Sequence, residues 1–253
     1  MLTLASDFGT PYPAAMKGVI LQQTDARLVD VAHDFPRQDV RTTAFWLREV
    51  LPYFPPAVHL VVVDPGVGTD RAAVVVRAGE HALVGPDNGV LVPVARELAP
   101  DGEFEVFEIR GQEPASSTFH GRDVFAPAAA EVHEAGVEGF STRPEFEATD
   151  EWVDLSFPDP DLGTDVCRGE VLAVDDFGNA VTNLPGSVLD TLPEHVAVNG
   201  QEAPVAESYA HVDAGQWLVT VGSHGNVELA VNRGRGDEAF GVEPGSPVEL
   251  RAP

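Results

Sequence analysis

The chain has 253 residues, a formal net charge of −26, a single lysine (Lys17) and a single cysteine (Cys167). The length and an apolar content of 43% suffice for one large domain or two smaller ones with buried cores. The acid surplus repels nucleic acid and anionic membranes, so we expect neither as a partner. The single cysteine excludes an intrachain disulfide and a multi-cysteine zinc site.

The acidic, lysine-poor composition also suggests where the protein works. Salt screens surface charge, with a Debye length of about 3 Å at 1 M ionic strength, so a salt-rich cytoplasm tolerates such self-repulsion. The first residues, MLTLASDFG, lack the basic segment and the apolar length of a signal peptide. The sequence contains no run of about 18 apolar residues, the length needed to span a membrane. We therefore expect a halophilic, cytoplasmic protein.

Predicted strands and helices alternate along the first part of the chain. In chain order they are strand 2–5, helix 12–23, strand 27–32, helix 40–51, strand 58–63, strands 72–78 and 81–85, helix 90–98, strand 104–109 and a helix ending near 135. Asp39 and Asp123 are the predicted caps of the second and the last helix. The initial strand–helix alternation predicts a parallel α/β sheet with right-handed crossovers.

Two acids stand at the ends of predicted strands in this part. Asp7 follows strand 2–5, and Asp64 ends the run VVVD that precedes PGVGTDR. Open α/β sheets bind ligands just beyond the carboxyl ends of their strands. The glycine-rich turn after Asp64 allows Arg71 to return its guanidinium toward that carboxylate. Taken alone, an Asp-Pro turn with a surface arginine is the more common interpretation of this stretch.

The composition changes over residues 151–166, where acids and prolines predict a linker. It separates a domain at 1–150 from a second domain at 167–253. No helix is expected in the second domain, whose short strand candidates are 169–174, 180–183, 194–198, 216–221, 226–231 and 247–251. This spacing predicts a small barrel or sandwich.

Several familiar motifs carry little weight here. Asp-Phe-Gly occurs at 7–9 and 176–178, but no glycine-rich loop, strand lysine or catalytic loop accompanies it, so a kinase is excluded. His120, Asp123 and Asp64 lack the spacing of known zinc ligands, and dinucleotide, Walker and hydrolase-elbow motifs are missing. We therefore expect neither a metal nor a cofactor. The stretch DDFGNAVTN, taken alone, is more simply a tight hairpin than a site.

Seven stretches follow one another in a distinctive order. They are ASDFG, AAMKGVI, VVDPGVGTDR, GPDNGVL, STFHGRDVFAPAAA, DDFGNAVTN and GSHGNVELAVN. Together they resemble the SAM hydroxide adenosyltransferase family, the adenosine-forming S-adenosyl-L-methionine (SAM) hydrolases, which are relatives of fluorinases and chlorinases. The resemblance implies an N-terminal α/β/α domain with a mainly parallel sheet, followed by a smaller C-terminal β-barrel-like domain. It also implies a homotrimer whose substrate lies between one subunit's first domain and its neighbour's second domain.

The resemblance implies roles for individual residues. It makes Asp64, Arg71 and His120 catalytic and places Asp7 on the ribose. In the second domain, the residues expected to contact methionine or adenine are Asp175, Phe177, Asn179, Ser223, Glu228 and Val231, with Asp175 or its neighbour Asp176 on methionine. The aromatic side chains Phe8, Trp46 and Phe177 can exclude bulk water and favour the sulfonium by cation–π contact.

The implied reaction is attack of water or hydroxide on C5′ of SAM, which releases adenosine and L-methionine. The sequence leaves the sulfonium epimer open, with the (R) epimer as one candidate. A non-catalytic adenosine- or SAM-binding protein and a SAM-dependent halogenase are the alternatives. The intact set of Asp64, Arg71 and His120 argues against both, and the halogenase loop is missing between Arg71 and Pro86.

Overall fold

A computed structural model describes residues 1–111 and 115–253. The chain divides into two compact units, Met1–Ser156 and Phe157–Pro253. The division falls within the predicted linker 151–166. The residues just before it bond to the first unit, since Arg96 donates to the carbonyl of Leu155 at 3.1 Å and pairs with Asp154 at 2.8 Å.

The first unit contains a seven-stranded sheet. Its strands are β1 (Leu2–Ser6), β2 (Leu28–Ala32), β3 (Val58–Val62), β4 (Ala73–Ala78), β5 (His81–Pro86), β6 (Glu105–Ile109) and β7 (Phe146–Thr149). The spatial order is β2-β1-β3-β5-β4-β6-β7. The first four of these are parallel, and the last three extend the sheet with antiparallel pairs. The sequence of β3 is apolar apart from one histidine, as expected for a strand that is buried along its whole length.

Helices cover both faces of this sheet. They are α1 (Tyr12–Leu21), α2 (Val40–Val50), α3 (Val92–Leu98) and α4 (Ala126–Ala135). Alternate strand residues such as Leu4 and Leu60 share one buried cluster with Met16 of α1 and with α4. On the opposite face α2 packs against α3, and Phe54, just after α2, packs edge-on against His59 of β3. The expected α/β/α domain is thereby confirmed.

The two predicted helix caps have different outcomes. Asp39 caps α2, since its carboxylate accepts a hydrogen bond from the Thr42 amide at 2.9 Å. The cap prediction for Asp123 is wrong. Gly121–Phe125 form a π-helical turn that runs directly into α4, and the amide of Asp123 already bonds back to the Phe119 carbonyl at 3.1 Å. Asp123 is thus inside the helical segment, where its carboxylate pairs with Arg122 at 2.6 Å.

The second unit is a nearly closed antiparallel barrel. Its strands are β8 (Asp161–Leu162), β9 (Val166–Val174), β10 (Ala180–Pro185), β11 (His195–Val198), β12 (Gln201–Pro204), β13 (Trp217–Val221), β14 (Asn226–Val231) and β15 (Pro247–Arg251). The main path is β12-β11-β15-β9-β10-β14-β13, and β8 pairs with β9. An isolated bridge from Val205 to Val219 joins the chain after β12 to β13, which brings the two ends of the path together.

One element of this unit contradicts the expectation that it has no helix. Helix α5 (Gly236–Phe240) is a single short turn after β14. It is held by packing, since the ring of Phe240 lies 5.0 Å from that of Trp217. In the described parts of both units, no helix has the length and apolar character that crossing a membrane requires.

Candidate active site

Asp64, Arg71 and His120 are brought together by the first unit. Arg71 donates from Nε to Oδ1 of Asp64 at 3.0 Å and from Nη2 to Oδ2 at 2.5 Å. The amide of Gly66 also donates to Asp64 Oδ1 at 3.0 Å. Nη2 of Arg71 lies 3.2 Å from Nδ1 of His120. Because an arginine N–H can only donate, this nitrogen of His120 accepts, and a neutral ring then carries its proton on Nε2.

This cluster is held firmly in place. The Asp64 side chain is 1% exposed and that of Arg71 10% exposed, so solvent screens their ion pair little. The guanidinium of Arg71 also lies 5.1 Å from the ring centre of Phe125 and donates to the Ala72 carbonyl at 2.8 Å. These contacts therefore fix Asp64 and Arg71, from the segment after β3, relative to His120, from the segment before α4.

Asp64 shares a cavity of about 710 Å³ with Asp7. Oδ2 of Asp7 accepts a hydrogen bond from the backbone amide of Gln38 at 2.7 Å, and Gln38 itself has a positive φ of 61°. Three aromatic rings that contact one another also line the cavity, with centroid distances of 5.4 to 6.4 Å: Phe8, Tyr12 and Phe119. The cavity thus combines carboxylates with an apolar aromatic wall.

A chain of hydrogen bonds supports the strand end that carries Asp7. Ser6, which is fully buried, shares a 2.8 Å hydrogen bond with Nδ1 of His33. Nε2 of His33 lies 3.0 Å from Asp30, which also accepts from Lys17 at 2.6 Å. Burial by itself raises the pKa of Asp30, but the hydrogen bonds from Lys17 and His33 outweigh it and lower that pKa. Lys17, the only lysine of the chain, is therefore linked through Asp30 and His33 to Ser6, the residue before Asp7.

The second unit has its own cavity, of about 840 Å³. All six residues of this unit that the sequence assigned to the substrate line it: Asp175, Phe177, Asn179, Ser223, Glu228 and Val231. Asn179 donates to both carboxylate oxygens of Asp175, from its backbone N–H at 2.8 Å and from its side-chain Nδ2 at 2.9 Å. Phe177, at the tip of this turn, is 79% exposed. Its ring is therefore accessible from the solvent side of the cavity.

Glu228 is the centre of a polar network in this cavity. Its carboxylate accepts from the Tyr209 hydroxyl at 2.8 Å and lies 3.1 Å from Nε2 of His224. Burial raises the pKa of Tyr209, and the neighbouring Glu228 raises it further. Burial also acts to raise the pKa of Glu228, but the hydrogen bonds from His224 and Tyr209 outweigh it, and this pKa is lowered. Glu228 is thus an anion with two partners at the cavity wall.

Three predicted site residues, Arg71, His120 and Trp46, are not among the described residues that line either cavity. Arg71 and His120 are linked to Asp64, which lines the first-unit cavity. Trp46 is on α2, with its ring 4.9 Å from that of Phe45.

Tyr12, Gln38 and Tyr209 also line the cavities, although their sequence context does not single them out. Gln38 immediately precedes the helix cap Asp39, a position where a ligand-facing loop could have been suspected. Tyr209 has no signal in the surrounding sequence.

Within 1–111 and 115–253, no group of three or more His, Cys, Asp or Glu side chains is arranged to hold a metal ion. The acids of the first-unit cavity are instead engaged by protein donors, Asp64 by Arg71 and Asp7 by the amide of Gln38. The arrangement is suited to binding a polar organic molecule beside an aromatic wall.

Comparison with known proteins identifies relatives along nearly the whole chain. Residues 2–139 match the model of the SAM hydroxide adenosyltransferase N-terminal domain, and residues 169–249 match that of the C-terminal domain. A Salinispora tropica protein named (R)-S-adenosyl-L-methionine hydrolase is 39% identical, over 99% of this chain and 97% of its own. A Thermus thermophilus protein of the same name is 40% identical, over 97% of each chain.

A solved structure extends the similarity to the whole fold. An uncharacterised conserved protein from Thermotoga maritima superposes with a TM-score of 0.86 at 34% identity, covering 99% of this chain and 100% of its own. Both family domains are therefore present in one chain, in the same order and at nearly full length. The chain belongs to the SAM hydroxide adenosyltransferase family.

Proposed function

We propose that this protein hydrolyses SAM to adenosine and L-methionine, with the (R)-sulfonium epimer as its substrate. The observation that carries the proposal is the Asp64–Arg71–His120 cluster beside a cavity that also contains Asp7. Relatives matched along nearly the whole chain are named (R)-S-adenosyl-L-methionine hydrolase, which supports both the reaction and the epimer.

The reaction needs little chemical assistance at the leaving group. Water attacks C5′ of the ribose, a C5′–O bond forms, and the C5′–S bond breaks. Its electron pair returns to sulfur, so methionine departs as a neutral thioether and the attacking water loses one proton. Since the leaving group needs neither a proton nor a Lewis acid, catalysis consists of aligning the reactants and activating the water.

The three clustered residues divide this task. Both oxygens of Asp64 already accept hydrogen bonds from Arg71, so Asp64 is best suited to orient the guanidinium. Arg71 then stabilises negative charge on the attacking oxygen. His120 accepts from Arg71 through Nδ1, and its ring is the group in the cluster best suited to pass on the proton of the water.

Substrate binding is shared between the two cavities in this proposal. The carboxylate of Asp7 accepts from the ribose hydroxyls, which fixes C5′ for in-line attack. Phe8 and Phe177 exclude water and favour the sulfonium. Asp175 and Asn179 hold methionine, while Ser223, Glu228 and Val231 contact adenine.

We also propose that the protein is a cytoplasmic homotrimer. The proposal is supported by the family resemblance, which implies a substrate shared between neighbouring subunits. The residues assigned to that substrate line two cavities, one in each compact unit. Sedimentation equilibrium should give three times the chain mass of 26.9 kDa. A monomer that retains full activity would contradict the shared site.

The direct test is incubation of the purified protein with each SAM epimer, followed by chromatography of adenosine and methionine. We expect equimolar products from the (R) epimer, no loss of activity after dialysis against EDTA, and loss of activity in Arg71→Gln. Arg27→Gln is a matched control, because Arg27 is an exposed arginine away from both cavities. Tight adenosine binding without any product would favour the non-catalytic alternative, and halide-dependent products would favour the halogenase.

A further inference from the structure

His33 contacts the loop that carries Asp7 at both of its ends. β1 ends at Ser6, and Asp7 and Phe8 follow. The hydroxyl of Ser6 lies 2.8 Å from Nδ1 of His33, and the amide of Gly9 donates to the backbone carbonyl of His33 at 2.7 Å. One residue directly after β2 therefore holds the chain on both sides of Asp7 and Phe8.

The second ring nitrogen of His33 fixes the direction of the bond to Ser6. Nε2 lies 3.0 Å from Oδ1 of Asp30, whose carboxylate also accepts from Lys17 at 2.6 Å. Because an ionised carboxylate only accepts, Nε2 carries the proton of the neutral ring, and Nδ1 then accepts from the hydroxyl of Ser6. Asp30 thus orients the ring that faces Ser6.

Burial makes the contact between Ser6 and His33 difficult for water to replace. Ser6 is fully buried and the side chain of His33 is 16% exposed, whereas that of Asp30 is 44% exposed. A buried hydroxyl that loses its partner is unfavourable, so the ring holds the end of β1 in one position.

The carboxylate of Asp7 is fixed from the same segment of the chain. Its Oδ2 accepts from the backbone amide of Gln38 at 2.7 Å. Asp7 and Gln38 both line the first-unit cavity, whereas His33 is not among the described residues that line it. His33 therefore acts on a ligand through the residues that it holds.

We propose that His33 is a positioning residue that sets the Asp7 carboxylate for the two ribose hydroxyls and thereby makes the enzyme select ligands that carry them. The inference rests on the proposed hydrolysis of SAM, in which Asp7 accepts from these hydroxyls. Hydrogen bonds weaken steeply as their distance and angle depart from the optimum. A small shift of the strand end therefore reduces the selection although the carboxylate is still present.

The test compares adenosine with 2′,3′-dideoxyadenosine, which lacks both hydroxyls, by calorimetric titration at one salt concentration. His33→Ala removes the ring but keeps the carbonyl that accepts from Gly9. His33→Asn returns a side-chain acceptor close to the position of Nδ1, and Ser6→Ala removes the same hydrogen bond from its other side. His195→Ala is the control, because His195 is an exposed histidine that is not among the described residues lining either cavity.

We expect wild type to bind adenosine about 10- to 100-fold more tightly than the dideoxy analogue, the effect of hydrogen bonds to a charged group. His33→Ala and Ser6→Ala should lose most of this preference through weaker adenosine binding, with affinity for the analogue unchanged. The double variant should lose no more than either single one, because both remove one hydrogen bond. KM for SAM should rise in His33→Ala while kcat changes little. His33→Asn should regain part of the preference, and His195→Ala should keep all of it.

The ratio of the two affinities separates positioning from general stability, since it does not depend on the fraction of folded protein. A preference that survives in His33→Ala and Ser6→Ala, an equal loss of affinity for both nucleosides, or no recovery in His33→Asn would each overturn the assignment. Equal binding of the two nucleosides by wild type would also overturn it. Absence of adenosine formation from SAM by wild type would instead overturn the proposed hydrolysis, and the binding comparison would still decide the role of His33.

Discussion

Asp7 and Asp64 follow neighbouring parallel strands, yet their hydrogen bonds suit them to different work. Asp64 is nearly fully buried and both its oxygens are engaged by Arg71. Asp7 is less buried, and within 1–111 and 115–253 the donor to its carboxylate is the backbone amide of Gln38. Asp7 therefore retains acceptor capacity for a ligand, whereas Asp64 mainly positions a protein group.

Substitution of Asp7 should affect ligand binding. If its carboxylate accepts from the ribose in both the ground and the transition state, Asp7→Ala weakens adenosine binding by about 1.5 to 3 kcal/mol, the usual range for a hydrogen bond to a charged group. KM for SAM should rise accordingly. Calorimetric titration with adenosine measures the binding loss, and unchanged adenosine affinity in Asp7→Ala would remove Asp7 from the ribose.

Substitution of Asp64 should affect turnover. Asp64→Asn preserves shape but removes the charge that orients Arg71, so kcat should fall by about 100-fold or more while adenosine affinity changes little. Arg71→Ala and His120→Ala should resemble it, and double variants should be far from additive because the three residues act on one water. If Asp64→Asn abolished adenosine binding but kept a normal kcat, Asp64 would be a ligand anchor.

At the scale of elements, a line of polar side chains crosses the core of the first sheet. Thr3 of β1 shares a 2.8 Å hydrogen bond with His59 of β3, and His59 shares another of 2.8 Å with His81 of β5. The two imidazole rings stack with centroids 5.1 Å apart. Burial and the adjacent His81 lower the pKa of His59 to about 3, and burial lowers the pKa of His81 as well.

These histidines should make the sheet sensitive to acid. Since the unfolded chain titrates near pH 6.5 and folded His59 near 3, the unfolded state binds more protons between these values, and the free energy of unfolding falls as pH falls through this window. One such group costs about 2 kcal/mol at pH 5 relative to neutral pH. Denaturant unfolding at both pH values should show a smaller acid-induced loss in His59→Gln than in wild type. The exposed His195→Gln is the control, and an identical loss in all three proteins would contradict the account.

Features that depend on residues close together in the chain were predictable from the sequence, whereas contacts between residues far apart in the chain were not. Asp39 was identified as a cap because a capping bond spans three residues. The Asp123 cap failed because a π-helical turn starts the helical segment before it, a local geometry without a distinct residue signature. Tyr209 reaches Glu228 only through the closure of the barrel, and no short stretch encodes that contact. The strand ends at Asp7 and Asp64 were recognisable because a buried apolar run stops there.

At the scale of the whole molecule, the surplus of acids should dominate the response to salt. The net charge of −26 on 253 residues destabilises the compact state by self-repulsion, which salt reduces. We expect a higher melting temperature in molar KCl than in low salt, measured by far-ultraviolet circular dichroism. Equal melting temperatures in both conditions would contradict the halophilic assignment.

Hydrolysis in ¹⁸O-labelled water tests most directly whether water attacks C5′ of SAM. Adenosine should carry one ¹⁸O at its 5′-hydroxyl and methionine none, and Asp64→Asn should give the same labelling at a lower rate. Mass spectrometry of both products after partial conversion measures this. Unlabelled adenosine, or formation of 5′-methylthioadenosine with the label in the amino-acid product, would contradict it.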